Sequence, residues 1–247
     1  MGSPTRKSDK ARSRAVHGVT IGILILDTGF QRLPGDIGYG GTWRFPVQYA
    51  VVRGAPQDGV FAASDERTLT LFLRAVDELV ALGVDGITTS CGFLAVWHRR
   101  FVAHSPVPVA TSSLLQIPLV QSLLPANKRV GVLTWSKEHL TPEHFIAVGA
   151  PTDLPVGDLP LDAAFNRNMA LGNPAVDRAV QECEVLVAVD RLLSAHPEIG
   201  AIVSECTNLP PYSAAIERTF DVPVYDIVTL VEWFQSGLRP RRYKRAD

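Results

Sequence analysis

The chain has three cysteines, Cys91, Cys183 and Cys206, and two of them sit in matching surroundings. Gly86-Ile-Thr-Thr-Ser-Cys91 lies over Ala201-Ile-Val-Ser-Glu-Cys206 after a shift of 115 residues. Without a gap, the same shift lays Val107-Pro-Val109 over Val222-Pro-Val224. Each motif reads as a short apolar strand running into a turn and a helix. Both sulfurs are therefore expected beyond the carboxyl end of a strand, where free N–H groups and the helix dipole favour an anion. That setting eases a thiol toward thiolate and also suits a substrate carboxylate. Two opposed thiols can invert a carbon next to a carbonyl. One, as thiolate, removes a proton, and the other, still protonated, returns one to the opposite face. A Cys-His-Asn hydrolase needs a base against the thiol, and the one histidine near either cysteine in sequence is His98. Cys183 has no partner in the repeat and reads as structural.

The elements that position these residues follow from the apolar pattern. Val19–Leu26 reads as a buried strand. The stretch from Gly29 to Ala63 is too long for a simple connector, and is expected to hold a strand near Val47–Val52 with an active-site loop before it. Asp65, with Ser64 ahead of it, can cap a helix running to about Leu82, whose apolar positions Leu69, Phe72, Leu73, Val76, Leu79 and Val80 keep three-and-four spacing. Gly83 ends it. A strand at Gly86–Thr89, a helix from Cys91 to about His104 and a strand at Val107–Ala110 follow. The pattern restarts with a strand at Arg129–Thr134 and a helix at about Pro174–Ala195. Strands alternating with helices indicate an α/β protein with a parallel sheet covered on both faces. A repeat this long predicts two similar α/β lobes. The first is expected at 18–125, completed by about 215–238, and the second at 126–214. Residues 1–17 and 239–247 are expected to be basic tails, the first flexible.

Composition narrows the function. The chain has 247 residues, 46% hydrophobic and 20% charged, with a formal charge of −1. The tails carry ten of its Lys and Arg residues, leaving 14 basic and 23 acidic residues between them. A nucleic-acid partner is therefore not expected; the tails read as solvated ends or as contacts to a polyanion. The longest apolar stretch, Val19–Leu26, is far short of the ~18–20 residues of a membrane span. Met1–Ala15 lacks the apolar core of a signal peptide, and an odd cysteine count in a chain of this size fits a reducing cytoplasm. No CxxC, HExxH or paired His/Cys cluster suggests a metal. The Gly22–Gly29 segment is neither GxGxxG nor a phosphate-binding loop, so no nucleotide cofactor is expected.

The half-motifs Thr88-Thr-Ser-Cys91-Gly-Phe and Ser204-Glu-Cys206-Thr-Asn-Leu-Pro resemble those of the aspartate/glutamate/hydantoin racemase superfamily, which includes maleate isomerase and arylmalonate decarboxylase. The resemblance covers residues 19 to 235. It implies a cofactor-independent enzyme of two pseudo-symmetric lobes, with the active site in the cleft between them and one catalytic cysteine in each, Cys91 and Cys206. Asp27-Thr28-Gly29 resembles a segment whose acid and hydroxyl contact substrate, although Asp27 equally suits a loop cap. Thr134 matches a carboxylate-binding position. Ser90, Gly92, Thr207 and Asn208 complete the expected substrate contacts, and Pro210 and Pro211 open the next helix. Two features depart from the amino-acid racemases: Gly92-Phe93 stands where Asn-Thr is common, and a Gly-Gly pair after Asp27-Thr28-Gly29 is missing. Trp43, Phe45, Phe93 and Tyr212 read either as core or as cleft aromatics. The expectation is a racemase or epimerase acting on a small carboxylate or carbonyl substrate such as an amino acid or hydantoin, and forming a homodimer. The alternatives are a maleate-type isomerase with one covalent cysteine, or an inactive two-lobed binding protein.

Overall fold

The structure is a computed structural model that describes residues 18–56, 65–172 and 177–240. The expected tails, apart from Arg239 and Pro240, and the first turn of the helix expected from Pro174 lie outside the described residues.

Among the described residues, eight strands form two four-stranded, wholly parallel sheets. In the first, the order is β2 (Val47–Val52), β1 (Ile21–Leu26), β3 (Gly86–Thr89) and β4 (Val109–Ala110). The second repeats it with β6 (Val156–Asp158), β5 (Arg129–Thr134), β7 (Ile199–Ser204) and β8 (Val224–Tyr225). The segments matched in sequence thus take matching places: β3 with β7, β4 with β8 and β1 with β5. This is the expected α/β architecture of two parallel sheets flanked by helices. Central strands buried on both faces need continuous apolar runs, and Ile21, Ile23, Leu24, Val130, Val132 and Leu133 are wholly buried.

Helix α1 (Glu66–Leu82) covers the first sheet with Leu69, Phe72, Val76 and Leu79. The Asp65 carboxylate accepts from the Thr68 N–H at 2.9 Å at its start, and Gly83 closes it at φ 85°, a left-handed conformation that costs glycine little. The segment after Cys91, expected as one helix, begins as a 3-10 turn, Gly92–Trp97, and continues as α2 (His98–His104). Next come α3 (Ile117–Leu123), α4 (Pro142–Ala147), α5 (Ala164–Leu171), α6 (Arg178–Ala195), α7 (Pro210–Phe220) and α8 (Ile227–Leu238).

Two helices cross between the halves. α3 follows β4 of the first sheet yet packs on β5 of the second, its Ile117 and Val120, with Leu114 in the 3-10 turn just before it, joining Val130, Val132 and Val203. α8 follows β8 of the second sheet and packs back on β3 and β4, joining Ile227, Leu230 and Val231 to Ile21, Ile23 and Ala110. Each sheet is thus covered on one face by a helix reached through the other half. The exchange ties the lobes together and fixes how their strand ends meet. Among the described residues, no helix is long and apolar enough to cross a membrane.

Removing the cap of α1 is a direct test of this local reading. Asp65→Ala should lower stability, measured as a drop in the urea midpoint with an unchanged slope.

Candidate active site

Cys91 and Cys206 follow β3 and β7, and the two strand ends abut. The Thr207 hydroxyl donates to the Ser90 carbonyl at 2.6 Å. In the mirrored relation, a Cβ on Gly92 would collide with the Glu205 carbonyl and carboxyl oxygens. Positions 90 and 205, and likewise 92 and 207, are related by the 115-residue repeat, so these are one contact made twice about a pseudo-two-fold axis. Each strand end is also tied to its neighbour in the sheet: the Ser90 N–H donates to Leu24 at 2.8 Å and the Glu205 N–H to Leu133 at 2.7 Å. The residues between these ties, Cys91 and Cys206, line one cavity of about 140 Å³. That volume suits a small acid and is well below the ~300–1,000 Å³ of drug-sized sites.

Ser90, Gly92, Thr28, Thr207 and Asn208 line the same cavity. Thr134 does not. It is wholly buried behind the cavity, where its hydroxyl donates to Glu205 Oε2 at 2.7 Å. Asp27 is exposed and outside the lining. Cys183 is exposed on α6. Trp43 and Phe93 are core residues, and the buried Tyr212 hydroxyl donates to Gln181. The aromatic residues that do line the cavity are Phe30 and Trp135. His98 bonds Thr111 through Nδ1 at 3.1 Å and takes no part in the lining.

Three charged residues without an expected role complete the site. Asp36, buried, accepts from Arg32 at 2.8 Å, from the Gly38 N–H at 2.7 Å and from Asn208 Nδ2 at 2.6 Å. Arg32 also donates to Thr28 at 2.9 Å and lies over the Phe30 ring, 4.7 Å from its centre. Cys206 Sγ donates to Asn208 Oδ1 at 3.8 Å, which links the second thiol to this cluster. The third charged residue, Glu205, is 1% exposed and lines the cavity.

Glu205 dominates the electrostatics. Burial lifts its carboxyl from 4.5 to about 7, opposed by the bond from Thr134. Burial, and then the Glu205 charge, push Cys91 from 9.0 to about 12, against backbone N–H bonds from Phe93 and Leu94 that favour the thiolate. The same two causes raise Cys206 well above its usual value, against an N–H bond from Asn208. Without a ligand, both thiols hold their protons at neutral pH. The strand-end N–H groups act as the motifs suggest, but desolvation outweighs them here.

No protein-family model matches the chain. Among solved structures it is similar to arylmalonate decarboxylase, at TM-score 0.63 and 16% identity over 90% of this chain and 97% of that one. It is also similar to allantoin racemase from Klebsiella pneumoniae, at TM-score 0.58 and 16% identity over 90% and 87%, and to aspartate racemase from Picrophilus torridus, at 0.52 and 16% over 90% and 93%. The fold is that of the aspartate/glutamate/hydantoin racemase superfamily, as its motifs suggested. By sequence, the chain is similar to a dimethylsulfoniopropionate lyase from Durusdinium sp. clade D, 25% identical over 94% of this chain and 79% of the relative. Dimethylsulfoniopropionate lyase 5 of Emiliania huxleyi is 31% identical over 88% of this chain and 45% of its own length, and lyase 7 is 28% identical over 93% and 70%. These relatives overturn the racemase or epimerase assignment: they carry the name of a lyase, not of an isomerase. The motifs misled because they belong to the fold's strand ends, which can serve more than one reaction.

The raised Glu205 carboxyl has a consequence for stability. The unfolded chain loses this proton near 4.5 and the folded protein near 7, so between these values the folded state alone holds it and stability falls as pH rises. Glu205→Gln should gain on wild type across that window, by on the order of 3 kcal/mol, and hold a constant lead above it. Urea midpoints of both proteins at a series of pH values measure the difference.

Proposed function

We propose that this chain is a lyase that cleaves the carbon–sulfur bond of dimethylsulfoniopropionate or a close sulfonio acid. The carrying observation is the lyase name shared by relatives that match 88–95% of this chain. The cavity supports the reading by its size and by its two thiols.

The reaction is an elimination. A thiolate of the cavity takes a proton from the carbon next to the substrate carboxylate. The C–H electron pair becomes the second bond between that carbon and the next one. The carbon–sulfur bond breaks, and its electron pair leaves with sulfur as neutral dimethyl sulfide. Acrylate remains, and the thiol returns its proton to solvent. No proton has to come back to carbon, which distinguishes this chemistry from inversion and frees the two cysteines from equivalent roles. The sites differ accordingly: Cys91 is half-buried at the start of a 3-10 turn, and Cys206 is buried beside Asn208. In the ligand-free cavity both thiols are weak acids. A bound cation is therefore needed to draw a thiolate out at neutral pH, and the sulfonium substrate brings one. Asn208 and the N–H groups beside it, with Thr28 and Arg32, are the polar groups available to the substrate carboxylate.

The purified protein should release dimethyl sulfide and acrylate in equal amounts from dimethylsulfoniopropionate, followed by gas chromatography and proton NMR. Alanine at the cysteine that takes the proton, Cys91 or Cys206, should lower kcat/KM by roughly 10²–10⁴-fold and alanine at the other by less, while Cys183→Ala leaves it within about twofold, its side chain lying exposed on α6. Absence of both products from the wild-type protein overturns the reading.

A further inference from the structure

The repeat equates Ser90 with Glu205, yet one carries a hydroxyl and the other a carboxyl. The hydroxyl is settled within its own lobe, where Ser90 Oγ accepts the Leu26 N–H at 3.0 Å. The carboxyl is not. Oε2 takes the Thr134 hydroxyl, while Oε1 is buried with no hydrogen-bond partner among the described residues. A buried carboxylate ordinarily has a cation or several donors, and Asp36, bonded to the cavity residues Arg32 and Asn208, has both. Arg32 is the one cationic side chain among the described residues lining the cavity, and it is bonded to Asp36 and Thr28. Nor does any cation contribute to the acidity of Glu205, which burial and Thr134 set between them. Gly92 keeps the space: any side chain there would fall on the Glu205 oxygens.

Resting on the lyase reading, we propose that Glu205 is the counter-ion for the onium group of the substrate and so determines specificity for sulfonio or ammonio acids over uncharged ones. A fully alkylated onium centre has no N–H or O–H to donate. It is recognised by opposite charge and by apolar or aromatic surface, and Phe30, Trp135 and Met169 line the same cavity as Glu205. The assignment also explains how a carboxylate can be tolerated between two thiols. Empty, it holds a proton or raises its neighbours; filled, its charge is matched by the ligand. Cys91 and Cys206 are then relieved of the Glu205 charge in the complex that must react.

The test measures binding apart from catalysis. Titration calorimetry compares 3-(trimethylammonio)propanoate with its uncharged-tail isostere 4,4-dimethylpentanoate, on wild type and on Glu205→Gln, a substitution that keeps shape and hydrogen bonding but removes the charge. Wild type should prefer the onium probe about tenfold or more, equal to 1.4 kcal/mol. Glu205→Gln should bring the two probes within about threefold of each other while raising KM for dimethylsulfoniopropionate more than it lowers kcat. Wild type alone offers a second readout that needs no variant: affinity for the onium probe should climb with pH as Glu205 ionises near 7, and affinity for the isostere should not. The other ionisable groups around the cavity are the thiols of Cys91 and Cys206, which keep their protons in this range, and Arg32 and Asp36, bonded to each other. An onium preference that survives in Glu205→Gln overturns the proposal, as does loss of kcat with probe selectivity intact. A wild type that shows the Glu205-dependent preference but releases no dimethyl sulfide overturns the lyase reading and leaves this assignment standing.

Discussion

The meeting of two strand ends governs the rest of this structure. β3 and β7 belong to different sheets, and their tips are joined by the Thr207 hydroxyl on the Ser90 carbonyl and by the packing of Gly92 on Glu205. Parallel strands leave backbone groups unspent at their carboxyl ends. Placing two such ends against each other turns that general property into a small cavity lined by both thiols. The exchange of α3 and α8 between the sheets makes this arrangement durable, because neither lobe can swing away without exposing the apolar face it borrows. The Ser113 hydroxyl, just ahead of α3, reaches the Ser204 carbonyl at 2.5 Å and adds a polar tie at the same junction.

The duplication is close in backbone and broken in charge. Sheet order, strand direction and the place of each cysteine repeat. The residue before each cysteine does not, and the loop after β1 carries an Arg32–Asp36 pair. A site with two-fold symmetric chemistry suits a reaction that runs equally in both directions across a plane. A site with one carboxylate on one side suits a substrate with two different ends. The departure from the racemase motifs at Gly92 follows from this, since a larger residue at 92 could not coexist with Glu205 at the junction.

Much of the architecture was legible from residue patterns. Asp65 and Gly83 bounded α1, the apolar runs located β1, β2, β3 and β5, and the 115-residue repeat gave matching sheet orders. Short elements escaped: β6 has three residues including Gly157, and α4 and α5 are too short to establish a period. Of the expected site residues, Asp27, just past the end of β1, is exposed and stands outside the cavity lining. Thr134 moved back one layer, to hold Glu205 rather than to face a ligand. Glu205 lay within the quoted motif without a role, since a carboxylate at a strand end reads as solvated until something is seen to cover it.

Local chemistry therefore settled which residues could be reactive and which segments fold as strands and helices, because caps, glycine turns and apolar periodicity act over a few neighbouring residues. The bringing of Cys91 and Cys206 to one cavity, the burial of Glu205 beside them and the engagement of Asn208 by Asp36 depend on contacts between segments more than a hundred residues apart or on solvent exclusion. Desolvation has no local signature. It weakens the thiols and the carboxyl as acids here only because the two lobes close over them, and so the kind of reaction the motifs can serve is set by packing that the motifs themselves do not contain.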